Sequence, residues 1–207
     1  MIDKACHNPA DELRRRTKQR LSHRLSIAIV SDFFVPSLGG VEMHMYNVAE
    51  CLIEMGHKVI VISTNFGGER IGLRVLPNLL KVYHLPLNMM VSGVSWCDAF
   101  TLYMPILRHL FIRENIEIVH GHQATSVLQQ HSLLVAQYMG LKTVFTDHSL
   151  FGFVDIASFY LNKYLKWHLG LIDACISVSH ANKDNLTLRA AVDPSKIYVI
   201  PNSVDTL

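Results

Sequence analysis

Two adjacent glycines and a scatter of histidines carry the chemistry open to this chain. Gly39 and Gly40 stand at the mouth of a helix-patterned run, Val41-Glu42-Met43-His44-Met45-Tyr46-Asn47-Val48-Ala49-Glu50-Cys51-Leu52. Glycine lets a ligand approach the backbone, and the unpaired amides of a first helical turn, reinforced by the helix dipole, favour an anion there. Phosphate is the first ligand to consider for such a turn; a Gly-Gly that only reverses the chain is the alternative, and spacing alone leaves both open. The pattern is neither of the common nucleotide fingerprints, because G-x-G-x-x-G is absent and no G-K-[ST] follows the glycines.

The remaining polar candidates each follow an apolar or β-branched run: Asp32, then His120 and His122, then Asp147 and His148, then Ser179 and His180. A single histidine at a strand end is commonly a hydrogen-bonded structural group, whereas several converging on one rim point to a site. Zinc takes imidazole and carboxylate ligands, but His120-Gly121-His122 and Asp147-His148 match no metal signature in spacing, so no metal is expected. A serine hydrolase is disfavoured because G-x-S-x-G is absent. No paired carboxylates suggest a glycosidase, and no basic patch with interleaved aromatics suited to nucleic acid lies outside the first residues.

These residues need a scaffold that brings them together, and the apolar pattern supplies one. Strands are expected at Ile27–Val30, His57–Thr64, Lys81–Leu85, Ile116–His120, Leu141–Thr146, Asp173–Ser179 and Lys196–Ile200. The first of these has no polar alternation, as a strand buried on both faces requires. Helices are expected at Val41–Leu52, closed by Gly56, at Phe100–Glu114, at Ala124–Met139, at Ile156–Gly170 and at His180–Ala191, with Pro105 kinking or dividing the second. Asn65–Asn78 and Asn88–Asp98 read as loops, as does the aromatic stretch Leu150–Val154. Such alternation of strand and helix predicts an α/β fold: a Rossmann-like, mostly parallel sheet with helices on both faces and a ligand crevice at the carboxyl ends of its strands.

Composition agrees with a single folded core, since half of the 207 residues are hydrophobic and only 17% are charged. The net charge of +2 is unevenly placed. Up to Arg24 seven Lys and Arg face three Asp and Glu, and the remainder carries twelve against fourteen. The run Arg14-Arg15-Arg16-Thr17-Lys18-Gln19-Arg20 is either a solvated tail or a contact for anionic lipid or a targeting receptor. No apolar segment follows it as in a secretory signal, and no stretch approaches the roughly eighteen apolar residues of a membrane span. Cys6, Cys51, Cys97 and Cys175 are scattered and form no C-x-x-C, which suits a reducing compartment.

Four phrases carry a family resemblance: Asp32-Phe33-Phe34-Val35-Pro36-Ser37-Leu38-Gly39-Gly40-Val41-Glu42; Leu52-Ile53-Glu54-Met55-Gly56-His57-Lys58-Val59; Thr143-Val144-Phe145-Thr146-Asp147-His148-Ser149-Leu150-Phe151-Gly152-Phe153; and Val199-Ile200-Pro201-Asn202-Ser203-Val204-Asp205. Together they resemble the retaining glycosyltransferases of the GT-B fold. The third phrase is more narrowly similar to the PIG-A family of glycosyltransferase family 4, the catalytic subunits that start glycosylphosphatidylinositol anchors. The likeness runs from about Leu25 to Asp205.

The resemblance implies transfer of N-acetylglucosamine from UDP-N-acetylglucosamine to phosphatidylinositol with retention, at the cytoplasmic face of the endoplasmic reticulum membrane, within a multisubunit complex. It implies no cofactor, no bound metal and no nucleic acid. Gly39 and Gly40 would meet the donor diphosphate, and His148 would lie against the transferred sugar as the catalytic residue. Asp32, Glu42, His122 and Asp147 are rim or acceptor candidates. The corresponding domain division is a basic tail at 1–24, an acceptor-side Rossmann-like domain at 25–200 and the start of an interdomain hinge at 201–207. Because the E-x7-E half of such enzymes does not follow, the 207-residue chain is expected to be inactive alone. Alternative expectations are a related retaining transferase with another donor, such as GDP-mannose, and a non-catalytic subunit that keeps the fold.

Overall fold

The computed structural model describes residues 24–65, 70–86, 89–91, 94–95, 100–150 and 156–202. The basic tail up to His23, part of the aromatic loop after Leu150 and the last five residues lie outside them. Among the described residues the order is β1 (Ser26–Val30), α1 (Gly40–Glu54), β2 (Lys58–Thr64), β3 (Gly72–Val75), β4 (Lys81–Leu85), β5 (Met89–Val91), β6 (Val94–Ser95), α2 (Phe100–Arg113), β7 (Ile118–His122), α3 (Val127–Tyr138), β8 (Lys142–Asp147), α4 (Ile156–Leu169), β9 (Ala174–Ser177), α5 (His180–Arg189), a 3-10 turn (Pro194–Lys196) and β10 (Ile197–Val199). Eight strands form one sheet in the order β10-β9-β8-β7-β1-β2-β4-β3. All neighbouring pairs are parallel except β3 with β4.

The two-sided burial expected of β1 has a simple basis in the pleat. Successive side chains point to opposite faces; Ile27 and Ile29 pack with Met45 and Ala49 of α1, while Ala28 and Val30 join the opposite core with Leu107 and Phe111 of α2 and Leu128 and Leu133 of α3. β2 divides in the same way, Val59 and Val61 to the α1 side and Ile60 and Ile62 to the other. A polar residue at any of these places would be buried without a partner, so the strand reads as a continuous apolar run.

Helix ends follow local rules. α1 closes on Gly56 in the left-handed region (φ 89°), with the amide of Gly56 donating to the carbonyl of Ile53 at 2.9 Å and that of His57 to Leu52 at 3.0 Å. α3 repeats the motif at Gly140 (φ 72°), its amide on Gln137 at 3.0 Å and that of Leu141 on Ala136 at 2.9 Å. Both are Schellman closures, which satisfy the last free carbonyls of a helix.

Three sequence expectations need correction. The stretch assigned to a loop at Asn65–Asn78 contains β3, an edge strand whose every residue is exposed. The stretch at Asn88–Asp98 contains the two-stranded antiparallel sheet β5–β6. α2 is not divided at Pro105, which lies inside one continuous helix on its exposed side, where solvent can serve the carbonyl that the ring leaves without an amide partner.

Glu114, at the end of α2, ties that helix to the sheet. Its buried carboxylate pairs with Lys58 of β2 at 2.8 Å and Lys81 of β4 at 3.1 Å, and accepts the hydroxyl of Tyr83 at 2.5 Å. Burial opposes its ionisation, but the bonds from Lys58, Tyr83 and Lys81 outweigh this and hold it down to about 2.

Candidate functional site: a histidine rim at the strand switch point

β1 and β7 are neighbours at the centre of the sheet, and the chain leaves them in opposite directions, through α1 to β2 and through α3 to β8. In such sheets ligands bind in the crevice beyond the carboxyl ends of that pair. Of the sequence candidates, Asp32, Gly39 and Gly40 follow β1, His120 and His122 lie in the last three residues of β7 and not beyond it, Asp147 closes β8 and His148 follows it.

The paired glycines differ from each other. Gly39 is the residue preceding α1, in extended backbone, and a methyl group added there would overlap Oε2 of Glu42. Glu42 therefore folds back over the first turn, its carboxylate next to the positive end of the helix dipole. Gly40 is exposed, and a methyl group added there would meet nothing within 4 Å. Only the Gly40 side of the turn is open to an incoming group.

The histidines converge more closely than their spacing suggested. His120 and His122 are two apart on β7 and so project to one face, the face that α1 covers; their ring centroids lie 4.2 Å apart. His120 Nε2 is 2.7 Å from Oγ1 of Thr146 on β8. His122 Nδ1 is 3.1 Å from His148 Nε2, with the two rings stacked at 5.4 Å. His44 of α1 completes the group, its ring edge-on to His148 at 4.8 Å and 5.7 Å from that of His122.

Burial pushes all four imidazoles below their usual range, His148 to about 4 and His120 to about 3, with His122 well below it and His44 in the same direction. At neutral pH the rim thus offers uncharged rings, of which the half-buried His44 and His148 can meet an incoming hydroxyl while His122 is fully buried. His44 was missed by sequence reading. Its signal was its place one turn beyond Gly40, on the helix that covers the face to which β7 sends its even-numbered side chains.

The carboxylates serve the frame. Asp32 is buried; its Oδ2 accepts the amide of Leu128 at 3.1 Å in the first turn of α3, its own amide donates to Oγ of Ser126 at 2.9 Å, and its carbonyl accepts Thr64 Oγ1 at 3.1 Å. It joins the ends of β1 and β2 to α3 and does not present its carboxylate to solvent. Asp147, also buried, accepts Asn182 Nδ2 at 2.8 Å and the amide of Ser149 at 3.3 Å; burial pushes its carboxyl up to about 7 despite those bonds. Asn182 also donates to the carbonyl of Ser149 at 2.8 Å, so Asp147 and Asn182 together brace the turn that carries His148. Ser179 is engaged as the cap of α5, accepting the amide of Asn182 at 3.1 Å, and His180 is exposed.

A cleft of about 650 Å³ runs along α1, lined by His44, Asn47, Cys51 and Met55 and by Ile200 and Pro201. Through His44 it meets the histidine rim. The three nitrogens that His44, His122 and His148 can offer lie within 4.8 Å of one another, which makes these the residues among those described that could hold a metal ion. No helix among the described residues is long and apolar enough to cross a membrane.

Residues 65–155 match the sequence profile of the PIGA (GPI anchor biosynthesis) family. Over 182 residues the chain is 48% identical to a phosphatidylinositol N-acetylglucosaminyltransferase subunit of Homo sapiens, covering 87% of this chain and 37% of that protein. Its counterpart in Arabidopsis thaliana is 45% identical over 183 residues, 88% of this chain and 40% of the relative. The chain therefore spans about two fifths of the length of the curated relatives it matches.

In fold it is similar to a glycosyltransferase from Rickettsia africae (TM-score 0.63, 20% identity, 88% of this chain and 44% of that one). It is likewise similar to sucrose-phosphate synthase from Thermosynechococcus elongatus (TM-score 0.64, 15% identity, 88% and 49%). The sheet with its helices is the Rossmann-like domain of the GT-B architecture, as the sequence led us to expect. Over the stretch that it spans, the chain is similar to the PIGA (GPI anchor biosynthesis) family, as its sequence phrases led us to expect.

Proposed function

We propose that this chain forms the acceptor-side domain, residues 25–200, of a retaining glycosyltransferase that moves N-acetylglucosamine from UDP-N-acetylglucosamine to phosphatidylinositol. We place the reaction at the cytoplasmic face of the endoplasmic reticulum membrane, in a complex with other subunits. One observation carries the reading: an open Gly40 at the mouth of α1 and an uncharged His148 share one switch-point crevice, in a chain about half identical to N-acetylglucosaminyltransferase subunits.

The geometry supports the following roles. The free amides of the first turn of α1, at Gly40, face the donor diphosphate, and charge developing on the leaving diphosphate is stabilised by their fixed dipoles. His148 hydrogen-bonds the hexose with a neutral ring, held in place by His122 and by the turn that Asp147 and Asn182 brace. Asp32 keeps α3 and the end of β1 in register, and Glu42 and His122 stand at the rim.

The β3 edge supports association with an anionic bilayer. Ile71, Leu73, Val75 and Leu79 are exposed there beside Arg70 and Arg74, and no acidic residue occurs from Arg70 to Cys97. Apolar side chains entering the interface and arginines at the headgroups suit that surface.

The test is a chimera in which this chain replaces the matching two fifths of the Schizosaccharomyces pombe relative, assayed in membranes from cells that lack that relative. The intact chimera is expected to transfer labelled N-acetylglucosamine from its UDP-sugar to phosphatidylinositol, and H148A to lose about a hundredfold or more in rate at unchanged expression. Transfer of mannose from GDP-mannose, or normal assembly of the complex with equal activity in H148A, would overturn the reading.

A further inference from the structure

Three imidazoles from three separate elements meet at the crevice: His44 from α1, His122 from the end of β7 and His148 from the segment after β8. One nitrogen of each lies within 4.8 Å of the other two. Two nitrogens bound to one tetrahedral zinc, each at 2.0–2.1 Å, stand about 3.3 Å apart. His122 Nδ1 and His148 Nε2 already lie 3.1 Å apart. His44 is half-buried on the surface of a helix, so rotation of its side chain can close the remaining gap of up to about 1.5 Å, the difference between the observed limit and that spacing.

A bond between two rings accounts for part of the arrangement and leaves the rest unexplained. It does not involve His44, whose ring closes over the other two from a different element. Burial keeps all three rings unprotonated at neutral pH, the form in which imidazole binds a metal.

We propose that His44, His122 and His148 form a three-imidazole site for zinc, with its fourth coordination position opening to the crevice, and that zinc held there inhibits sugar transfer. An all-nitrogen donor set selects zinc, cobalt or copper over magnesium, calcium and manganese, which prefer oxygen. The site itself stands on the geometry of this chain. The inhibition rests on the transferase reading: zinc occupies the ring that would otherwise contact the hexose, and reversal by a chelator follows.

The full 207-residue chain, stripped of metal, is titrated with cobalt(II) and then with zinc. One cobalt per chain with the intense visible absorption of tetrahedral coordination is expected, bleached by one equivalent of zinc. H44A and H148A should each weaken binding by at least about tenfold, while H180A, outside the cluster, binds as the parent does. Circular dichroism confirms that the variants fold; H44A, at a half-buried helix position, keeps the test available should H148A unfold. Absence of tetrahedral cobalt absorption, or the same absorption in H44A and H148A as in the parent, overturns the site.

In the active chimera, micromolar zinc should lower transfer, with H44A shifting the inhibitory concentration upward. Zinc binding to the chain without any effect on transfer overturns the inhibition alone. A chimera that transfers nothing with or without a chelator overturns the transferase reading and leaves the cobalt result to judge the site.

Discussion

Gly39 and Gly40 are adjacent, yet the physical demand for glycine differs at each. At Gly39 it comes from inside the protein, because Glu42 occupies the space of a side chain. At Gly40 nothing among the described residues would object to one, and the backbone is not in the left-handed region. A group from outside is the remaining claimant. G40V should therefore leave the melting temperature within about 1 °C of the parent, a surface change away from packed features, while weakening UDP binding of the chimera by about tenfold or more, as isothermal titration would read. A drop in stability with UDP binding intact would place the demand inside the fold instead. G39A should do the reverse in part, displacing Glu42 and lowering stability.

At the level of elements, β7 and α3 meet through Gly121. It points to the face opposite His120 and His122, and a methyl group there would come 2.5 Å from Oε1 of Gln129 and 3.2 Å from Cδ1 of Leu133. Gln129 is fully buried and cannot swing into solvent. G121A should lower unfolding free energy by about 1–3 kcal/mol, the usual range for overpacking. Q129A removes the obstructing group, so the double variant G121A/Q129A should recover much of the loss; denaturant titrations of the four proteins form the cycle. Additive losses would show that Leu133, not Gln129, sets the limit. The same contact has a functional side, since a displaced β7 moves His122 against His148.

At the level of the whole molecule, buried titratable groups tie stability to pH. His131 and His168, on α3 and α4, are pushed by burial to about 4, from an ordinary 6.5. The unfolded chain thus takes up these protons first, and stability falls as pH drops from 6.5 toward 4. His120, His122 and His148 act in the same direction. Asp147, raised to about 7, acts oppositely between 7 and 3.8, but it is one group against several histidines. Glu114, held at about 2, adds a further loss from 4.5 downward.

The melting temperature should accordingly fall by on the order of 5 °C or more between pH 7 and pH 5. His168 isolates one contribution. Its ring is buried edge-on to Tyr164 at 4.1 Å and to Trp167 at 4.8 Å, and neither of its nitrogens has a hydrogen-bond partner among the described residues. H168F keeps the packing and removes the proton site, so it should match the parent at pH 7 and exceed it at pH 5. Equal pH slopes for the two would show that His168 does not titrate with folding.

What the chain's own order of residues determined is whatever depends on near neighbours and on periodicity. The apolar runs of β1, β2, β4, β7 and β8, the helix-closing Gly56 and the alternation of strand with helix all act over a few residues, and they led directly to the mostly parallel sheet and its crevice. β3 was legible in principle, since Arg70-Ile71-Gly72-Leu73-Arg74-Val75 alternates, but an exposed edge strand lacks the apolar weight that marks a buried one.

The tertiary structure alone decided the chemistry of the rim. His44 and His148 are over a hundred positions apart, and only the packing of α1 on the face to which β7 sends His120 and His122 brings them together. It also turned Asp32 inward to α3 and set Glu42 over Gly39, outcomes of long-range burial and hydrogen bonding that no local spacing encodes.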